Sequence, residues 1–272
     1  MSGGSSEDLS RELAFAHELA LAGGELALAR YRRRPTARRK GDGTWVTEAD
    51  EIAEAAIRAR IAEVFPEHNV LGEEGGFRAA RGGEPDPDAP TWVVDPIDGT
   101  SNYVAGIPVW ATLVALQVAG ESVLGVAHAP ALGETYSAER GGGARMNGAP
   151  ITVDRCERLE EATVIHGSVG DFARAGLEVL LAVVGRAERD RGFGDFWGHV
   201  LVARGAAHLM IDAAPLSRWD IAALEPIVIE AGGRLTGLDG GRWLPGRGCL
   251  SSCGALHDEI TALHGGVGVP GT

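Results

Sequence analysis

Cysteine is scarce in this chain: Cys156, Cys249 and Cys253 are the three among 272 residues. So odd and sparse a set supports neither a disulfide framework nor a cysteine-built zinc site. Basic charge is also in deficit, with 25 Lys and Arg against 38 Asp and Glu and a formal net charge of −13. That balance argues against a nucleic-acid partner held by electrostatic attraction. There is no apolar run of about eighteen residues, and residues 1–10 are polar without a basic start, so no membrane span or signal peptide is expected and a cytoplasmic protein is. No internal repeat, clear linker or persuasive Ser-His-Asp or Cys-His arrangement is visible.

What the chain does have is W-V-V-D-P-I-D-G-T-S-N-Y at 92–103. Trp92, Val93 and Val94 form a β-prone run that meets Asp95 and Pro96, so a strand is predicted to end where the first carboxylate begins. Pro96 biases Asp95 away from the α region, and Gly99 permits a tight turn or close backbone approach. Asp95 and Asp98 thus bracket a stiff turn. Thr100 and Ser101 are N-cap types, and a short helix starting there aims free N–H groups back at the two carboxylates. Bound cations would reconcile an anionic substrate with an acidic protein.

Around this stretch, residues 9–31 have helical spacing with an interruption expected at Gly23-Gly24. Arg30, Arg32, Arg33, Arg34, Arg38, Arg39 and Lys40 form the dense basic cluster, read either as a solvated loop or as a phosphate-steering lid, with Lys40 the member nearest an acidic motif. Residues 44–50 read as a short strand delivering a helix that Phe65-Pro66 ends, with Asp50 in its first turn, where the helix dipole alone would favour it. Residues 70–76 bring a strand end onto Glu73 and Glu74, and 78–90 read as a surface loop. Residues 109–118 and 122–128 suggest a hairpin, with further short strands to 153. From Cys156 onward strands and helices alternate: 163–167, 172–187, 200–205 and 209–212. A helix then opens near Asp220, runs through Ile229 with a kink at Pro226, and stops at Gly232-Gly233. Final strands at 234–236 and 249–252 precede a last helix at 257–264.

Acidic residues therefore recur at element ends: Asp50, Glu73, Asp95, Asp98 and Asp220. Taken with D-P-I-D-G-T at 95–100, V-T-E-A-D at 46–50, G-E-E at 72–74, W-D-I-A-A at 219–223 and E-A-G-G at 230–233, the sequence resembles the inositol monophosphatase superfamily over nearly its whole length. The resemblance implies an α+β, layered αβαβα sandwich of the inositol monophosphatase and fructose-1,6-bisphosphatase type. It divides into an N-terminal α+β half (1–155) with the metal and phosphate motifs and a C-terminal α/β half (156–272) with the substrate-selecting segment and the last metal ligand, in one compact catalytic unit. It further implies a homodimer hydrolysing a small phosphate monoester. Two or three Mg²⁺ ions would be held by Glu73, Asp95, the Ile97 carbonyl, Asp98 and Asp220. Glu73 and Thr100 would position and deprotonate the attacking water, with Asp50 hydrogen-bonding Thr100. Gly99, Thr100 and Ser101 would bind the phosphate, with Lys40 nearby.

Substrate choice turns on residues 193–199, F-G-D-F-W-G-H, whose wording resembles the histidinol-phosphate phosphatase branch. Asp195 would pair with the cationic amine or imidazole of L-histidinol phosphate, a charge that a polyol phosphate lacks. The other reading of Asp195 is a helix cap. Many members of the family carry a glutamate several residues before the W-D pair; here that neighbourhood reads D-A-A-P at 212–215, where Asp212 would have to substitute or the contact is missing. His199 is either a pocket residue or a satisfied core histidine. Histidinol-phosphate phosphatase of histidine biosynthesis is the expectation. Inositol-1-monophosphatase, or a broader sugar or nucleotide phosphate phosphatase, is the alternative within the fold, and a non-catalytic phosphate-binding regulator the alternative outside it.

Overall fold

The computed structural model describes residues 9–31, 35–41, 43–84, 86 and 88–266. Arg32, Arg33 and Arg34 of the basic cluster, most of the polar start, and residues 85 and 87 of the 78–90 loop lie outside the described residues. The chain opens with α1 (Ser10–Tyr31), a hairpin of β1 (Ala37–Arg39) and β2 (Trp45–Thr47), and α2 (Glu48–Val64). There follow β3 (Asn69–Gly72), β4 (Gly76–Arg78), β5 (Thr91–Asp98), α3 (Thr100–Ala105), β6 (Ala111–Val118), β7 (Glu121–Ala129), β8 (Glu134–Glu139), β9 (Gly143–Met146) and β10 (Ala149–Pro150). The remainder comprises β11 (Thr163–His166), α4 (Val169–Ala175), α5 (Leu177–Val184), β12 (Arg189–Arg191), α6 (Asp195–Ala203), β13 (Leu209–Leu216), α7 (Arg218–Ile221), α8 (Leu224–Glu230), β14 (Arg234–Gly237), β15 (Arg247–Ser252) and α9 (His257–Gly266).

Two large sheets result. One has the order β10-β9-β8-β7-β6-β5-β3-β4 and the other β12-β11-β13-β15-β14. Side-chain alternation then builds the layers. In β5, Trp92 and Val94 face α1 and α2, whereas Val93 faces α6, α7 and α8. Beyond those helices lies the second sheet, whose Leu209, Ile211 and Leu250 pack with Phe172, Leu180, Val183 and Ile260 of α4, α5 and α9. The order is helices, sheet, helices, sheet, helices, as expected for an α+β sandwich of this type. Within the first sheet β3 and β5 are parallel, with Gly72 opposite Val94, so Glu73 and Asp95 emerge side by side at the carboxyl ends of neighbouring strands.

Several local expectations give way to packing. Gly23 and Gly24 do not interrupt α1, which is continuous; they are buried where a Cβ would come within 2.7 Å of Ile57 Cδ1 and 2.5 Å of His128 Cδ2 respectively. The glycines let the helix sit close to α2 and the sheet. β5 does not end at Asp95 but runs to Asp98, with a register shift against β6 between the two carboxylates. The bulge turns Asp95 and Asp98 towards the same side of the strand end. The helix predicted for 172–187 divides at Gly176, and of residues 200–205 the first four finish α6. The break near Pro226 falls earlier, at Ala222 and Ala223, leaving Pro226 in the first turn of α8, where its missing N–H costs no hydrogen bond.

The first sheet packs tightly on the middle helices at Gly125 of β7. A Cβ there would lie 2.1 Å from the carbonyl oxygen of Ala223, between α7 and α8. Glu230 adds a second tie by accepting the N–H groups of Gly141 and Gly143 at 2.8 and 3.0 Å, which gives the E-A-G-G run an architectural role. Because the obstacle to a side chain at Gly125 is backbone, Gly125→Ala should destabilise by about 3 kcal/mol, the upper end of ordinary overpacking. For a chain of this length that lowers the melting midpoint by about 6–12 °C, which thermal unfolding followed by circular dichroism measures.

Candidate active site

Four acidic residues are set by one recurring device, a backbone N–H that holds one carboxylate oxygen and leaves the other free to point inward. Asp50 is the third residue of α2, and its Oδ2 accepts the N–H and the hydroxyl of Thr47 at 2.8 and 2.6 Å. Asp220 is the third residue of α7, and its Oδ2 accepts the Ser217 N–H at 2.6 Å. Both are halves of capping boxes, so their helix-start role and their place in the site coexist. Asp95 Oδ1 accepts the Ile97 N–H at 3.0 Å, and Asp98 Oδ2 accepts the Phe196 N–H at 2.7 Å across to α6.

One oxygen each from Asp95, Asp98 and Asp220 comes within 4.8 Å of the others. Asp95 is 2 % and Asp98 6 % exposed, and among the described residues none of the three has a cationic partner. Burial, then the neighbouring Glu73, drives Asp95 well above the carboxylate range; burial, then Asp195, does the same to Asp98. Burial raises Asp220 to about 7. A mutually repelling, all-oxygen trio with two members buried and Asp220 half-buried is unfavourable unless protons or a hard cation neutralise it, and its donor chemistry fits Mg²⁺. Glu73 and the Ile97 residue line the same cavity of about 230 Å³. The Glu73 carboxylate is engaged by Lys40 Nζ at 2.7 Å, and Lys40 also reaches Glu74 at 2.6 Å. Burial alone would lower the Lys40 ammonium, but its bonds to Glu73 and Glu74 outweigh that and raise it. Lys40 thus stands behind Glu73 rather than in the cavity wall.

Thr100 joins Asp50 to this cavity. Its hydroxyl lies 2.8 Å from the Ile97 carbonyl and 3.3 Å from Asp50 Oδ1; with one proton it serves one acceptor at a time. Burial raises Asp50 to about 6. Gly99, at φ 82, precedes α3, and Gly99, Thr100 and Ser101 all line the cavity. The helix starts at Thr100 with Gly99 as its cap residue, so Thr100 and Ser101 are its first residues rather than caps. A Cβ at Gly99 would also sit 3.1 Å from the Val109 carbonyl and 3.2 Å from Asp195 Oδ2.

Asp195 does not cap α6; the Asp98 carboxylate does. Asp195 instead sits at φ 54, a region aspartate tolerates at a cost, and its Oδ2 accepts the Asn102 amide at 3.1 Å. Asp212 lines the same wall, with Oδ1 on the Ala214 N–H at 2.9 Å. Burial, and for Asp195 then the nearby Asp212, raises each to about 6. Neither has an ion-pair partner among the described residues. His199 is chiefly a core histidine, 2.8 Å from Ser251 Oγ and pushed by burial to about 4, with one edge on the cavity. Sequence reasoning missed Thr44 and Trp45 in the wall. It also missed Asn102, whose only signal was its place inside the central motif.

The profile of the inositol monophosphatase family matches residues 8–265. The histidinol-phosphatase of Mycobacterium tuberculosis is 40% identical over 235 residues, covering 84% of this chain and 87% of the relative. That of Chlorobaculum parvum is 37% identical over 263 residues, covering 94% and 98%. Among solved structures, the Thermotoga maritima IMPase superposes with a TM-score of 0.84 at 33% identity, covering 94% of this chain and 98% of its own.

The raised carboxylates fix a pH dependence. Asp220 moves from 3.8 to about 7, and Asp50, Asp195 and Asp212 to about 6. Without cations, the folded protein keeps protons that the unfolded chain releases between about pH 4 and 7, so stability falls as pH rises through that window. In chelator, the melting midpoint should be lower at about pH 8 than at about pH 5.5, and Mg²⁺ should raise it more at the higher pH, where protons no longer compete. Scanning calorimetry at the two pH values, with and without Mg²⁺, checks both signs.

Proposed function

Since the chain belongs to the inositol monophosphatase family and is a phosphoric monoester hydrolase, we propose that it is a Mg²⁺-dependent histidinol-phosphate phosphatase. The observation that carries the substrate is the pair of a half-buried Asp195 and a buried Asp212, two cavity-lining carboxylates without a cationic partner among the described residues. Neutralising Asp95, Asp98 and Asp220 with cations leaves these two unanswered. A leaving group with an ammonium or imidazolium answers them; a neutral polyol does not. The names of the Mycobacterium and Chlorobaculum relatives support the same reading.

In this reading Glu73, Asp95, the Ile97 carbonyl, Asp98 and Asp220 hold the Mg²⁺ ions. Bound Mg²⁺ would acidify the attacking water and stabilise charge on the departing oxygen. The protein's own groups supply the rest. With Asp50 as acceptor for its proton, the Thr100 hydroxyl turns its lone pairs to the cavity and orients the water, while Glu73 accepts the water's proton. The N–H groups opening α3 have no intrahelical partners and face phosphate oxygens, holding phosphorus in line. Water oxygen bonds to phosphorus as the ester P–O bond breaks, the alkoxide takes a proton from solvent to leave as the alcohol, and the proton held by Glu73 returns to solvent. On the family resemblance alone, we place this activity in histidine biosynthesis, in a cytoplasmic homodimer with two or three ions per site.

The test is phosphate release from histidinol phosphate, inositol 1-phosphate, fructose 1,6-bisphosphate and 3′-phosphoadenosine 5′-phosphate, with Mg²⁺ and with chelator. Histidinol phosphate should give the highest kcat/KM, and chelator should abolish turnover; preference for inositol 1-phosphate would reject the substrate. A second expectation isolates the wall: Asp195→Asn should lower kcat/KM for histidinol phosphate about 10- to 100-fold, the worth of a hydrogen bond to a charged group. Slow turnover of inositol 1-phosphate should change far less. Steady-state kinetics on both esters distinguishes this from general damage.

A further inference from the structure

One buried carboxylate next to the site plays no part in the chemistry above. Glu54 lies one turn after Asp50 on α2 and is 2 % exposed. Its Oε2 accepts the Glu74 N–H and its Oε1 the Gly75 N–H, each at 2.7 Å. Arg58, a further turn along, donates to Glu54 Oε1 at 3.2 Å and to the Gly76 carbonyl at 2.8 Å. The connection from β3 to β4 is thus wrapped around a carboxylate that arrives from another element.

The glycines of that connection fit this arrangement. A Cβ at Gly72 would lie 2.3 Å from Glu54 Oε1, and one at Gly75 would lie 2.8 Å from the same atom. The space they leave is the space the carboxylate fills. Between them stands Glu73, whose own backbone tie to β5, its N–H to the Val94 carbonyl, is a long 3.3 Å. The two charge-assisted bonds from Glu54 to the next two N–H groups are the shorter and stronger restraint on its orientation. Asp50 and Glu54, four residues apart, lie on one face of α2. Asp50 reaches Thr100 at the corner after β5, and Glu54 reaches the turn that carries Glu73. One rigid helix thereby spans the two sides of the cavity.

We propose that Glu54, braced by Arg58, is a positioning residue: it fixes the 72–75 turn so that the Glu73 carboxylate faces Asp95 and Asp98, and through that it sets the cation affinity of the site. The inference rests on Glu73 serving the cation, and the experiment separates the two claims. Mg²⁺ titration by isothermal calorimetry, with melting in chelator, is carried out on the full-length wild type and on Glu54→Gln, Gly75→Ala and Glu73→Gln. Glu54→Gln keeps the volume but can offer only one acceptor to the two N–H groups. It should weaken Mg²⁺ binding about 10- to 100-fold, the usual loss when a ligand's supporting partner is removed, while KM for the phosphate ester at saturating Mg²⁺ moves less than about threefold. Gly75→Ala, which displaces the carboxylate without changing charge, should shift Mg²⁺ affinity in the same direction. Folded Glu54→Gln with wild-type Mg²⁺ affinity and only a lower melting point would overturn the proposal and leave Glu54 a merely stabilising residue. If Glu54→Gln gives no cooperative melt, Gly75→Ala decides by the same criterion. Wild-type affinity in Glu73→Gln would overturn the role of Glu73 and this inference with it; loss there beside normal binding in Glu54→Gln overturns this inference alone.

Discussion

Repulsion among Asp95, Asp98 and Asp220 is the constraint around which this molecule is arranged. Carboxylates so close and so poorly solvated oppose folding unless something holds them in place and something neutralises them. The holding is done by backbone. Each of the three gives one oxygen to an N–H: Asp95 within the bulged end of β5, Asp220 at the start of α7, and Asp98 across the interface to α6. The free oxygens converge because the elements that carry them are packed, not because the chain is locally strained into a site. The neutralising is left to protons or to a hard cation, which the all-oxygen donor set fits.

The two sheets divide this task unequally. Parallel β3 and β5 bring Glu73 and Asp95 out side by side, and the bulge before Asp98 keeps the next carboxylate with them. The second half supplies Asp220 and Asp195 from α7 and α6, helices sandwiched between the sheets, and Asp212 from β13 of the second sheet, all to the same cavity. Gly125 against the Ala223 carbonyl shows how tight that junction is. Lys40, on the small hairpin ahead of α2, neutralises Glu73 and Glu74 from outside the cavity wall.

Much of this could be read from the residues, and what could not has a physical reason. The cluster of Asp95, Asp98 and Asp220 was visible because carboxylates at element ends, in a fixed local wording, leave a signal in the sequence. The layered architecture followed from the resemblance, whereas periodicity alone gave only the elements. Gly23 and Gly24 misled because a glycine pair signals flexibility locally, while the neighbours that require small residues, Ile57 and His128, are distant in sequence. The extent of β5 misled because proline and aspartate disfavour strands on average, and the pairing with β6 overrides that average. Asn102 and Glu54 were unreadable for a further reason: each acts through a group that another element brings to it.

The contact between Asp98 and the start of α6 bears on how such enzymes can exchange specificities. The Phe196 N–H that Asp98 holds belongs to the residue after Asp195, and Asp195 is itself held by Asn102 from α3. The Asp195 carboxylate is therefore suspended between two anchors from earlier in the chain. Residues 193–199 alone carry the charge but not its amide support, so in a recipient without an amide at the place of Asn102 the carboxylate would take a different aim. The aim of Asp195 is thus set by residues distant in sequence, Asp98 and Asn102, rather than by its own loop.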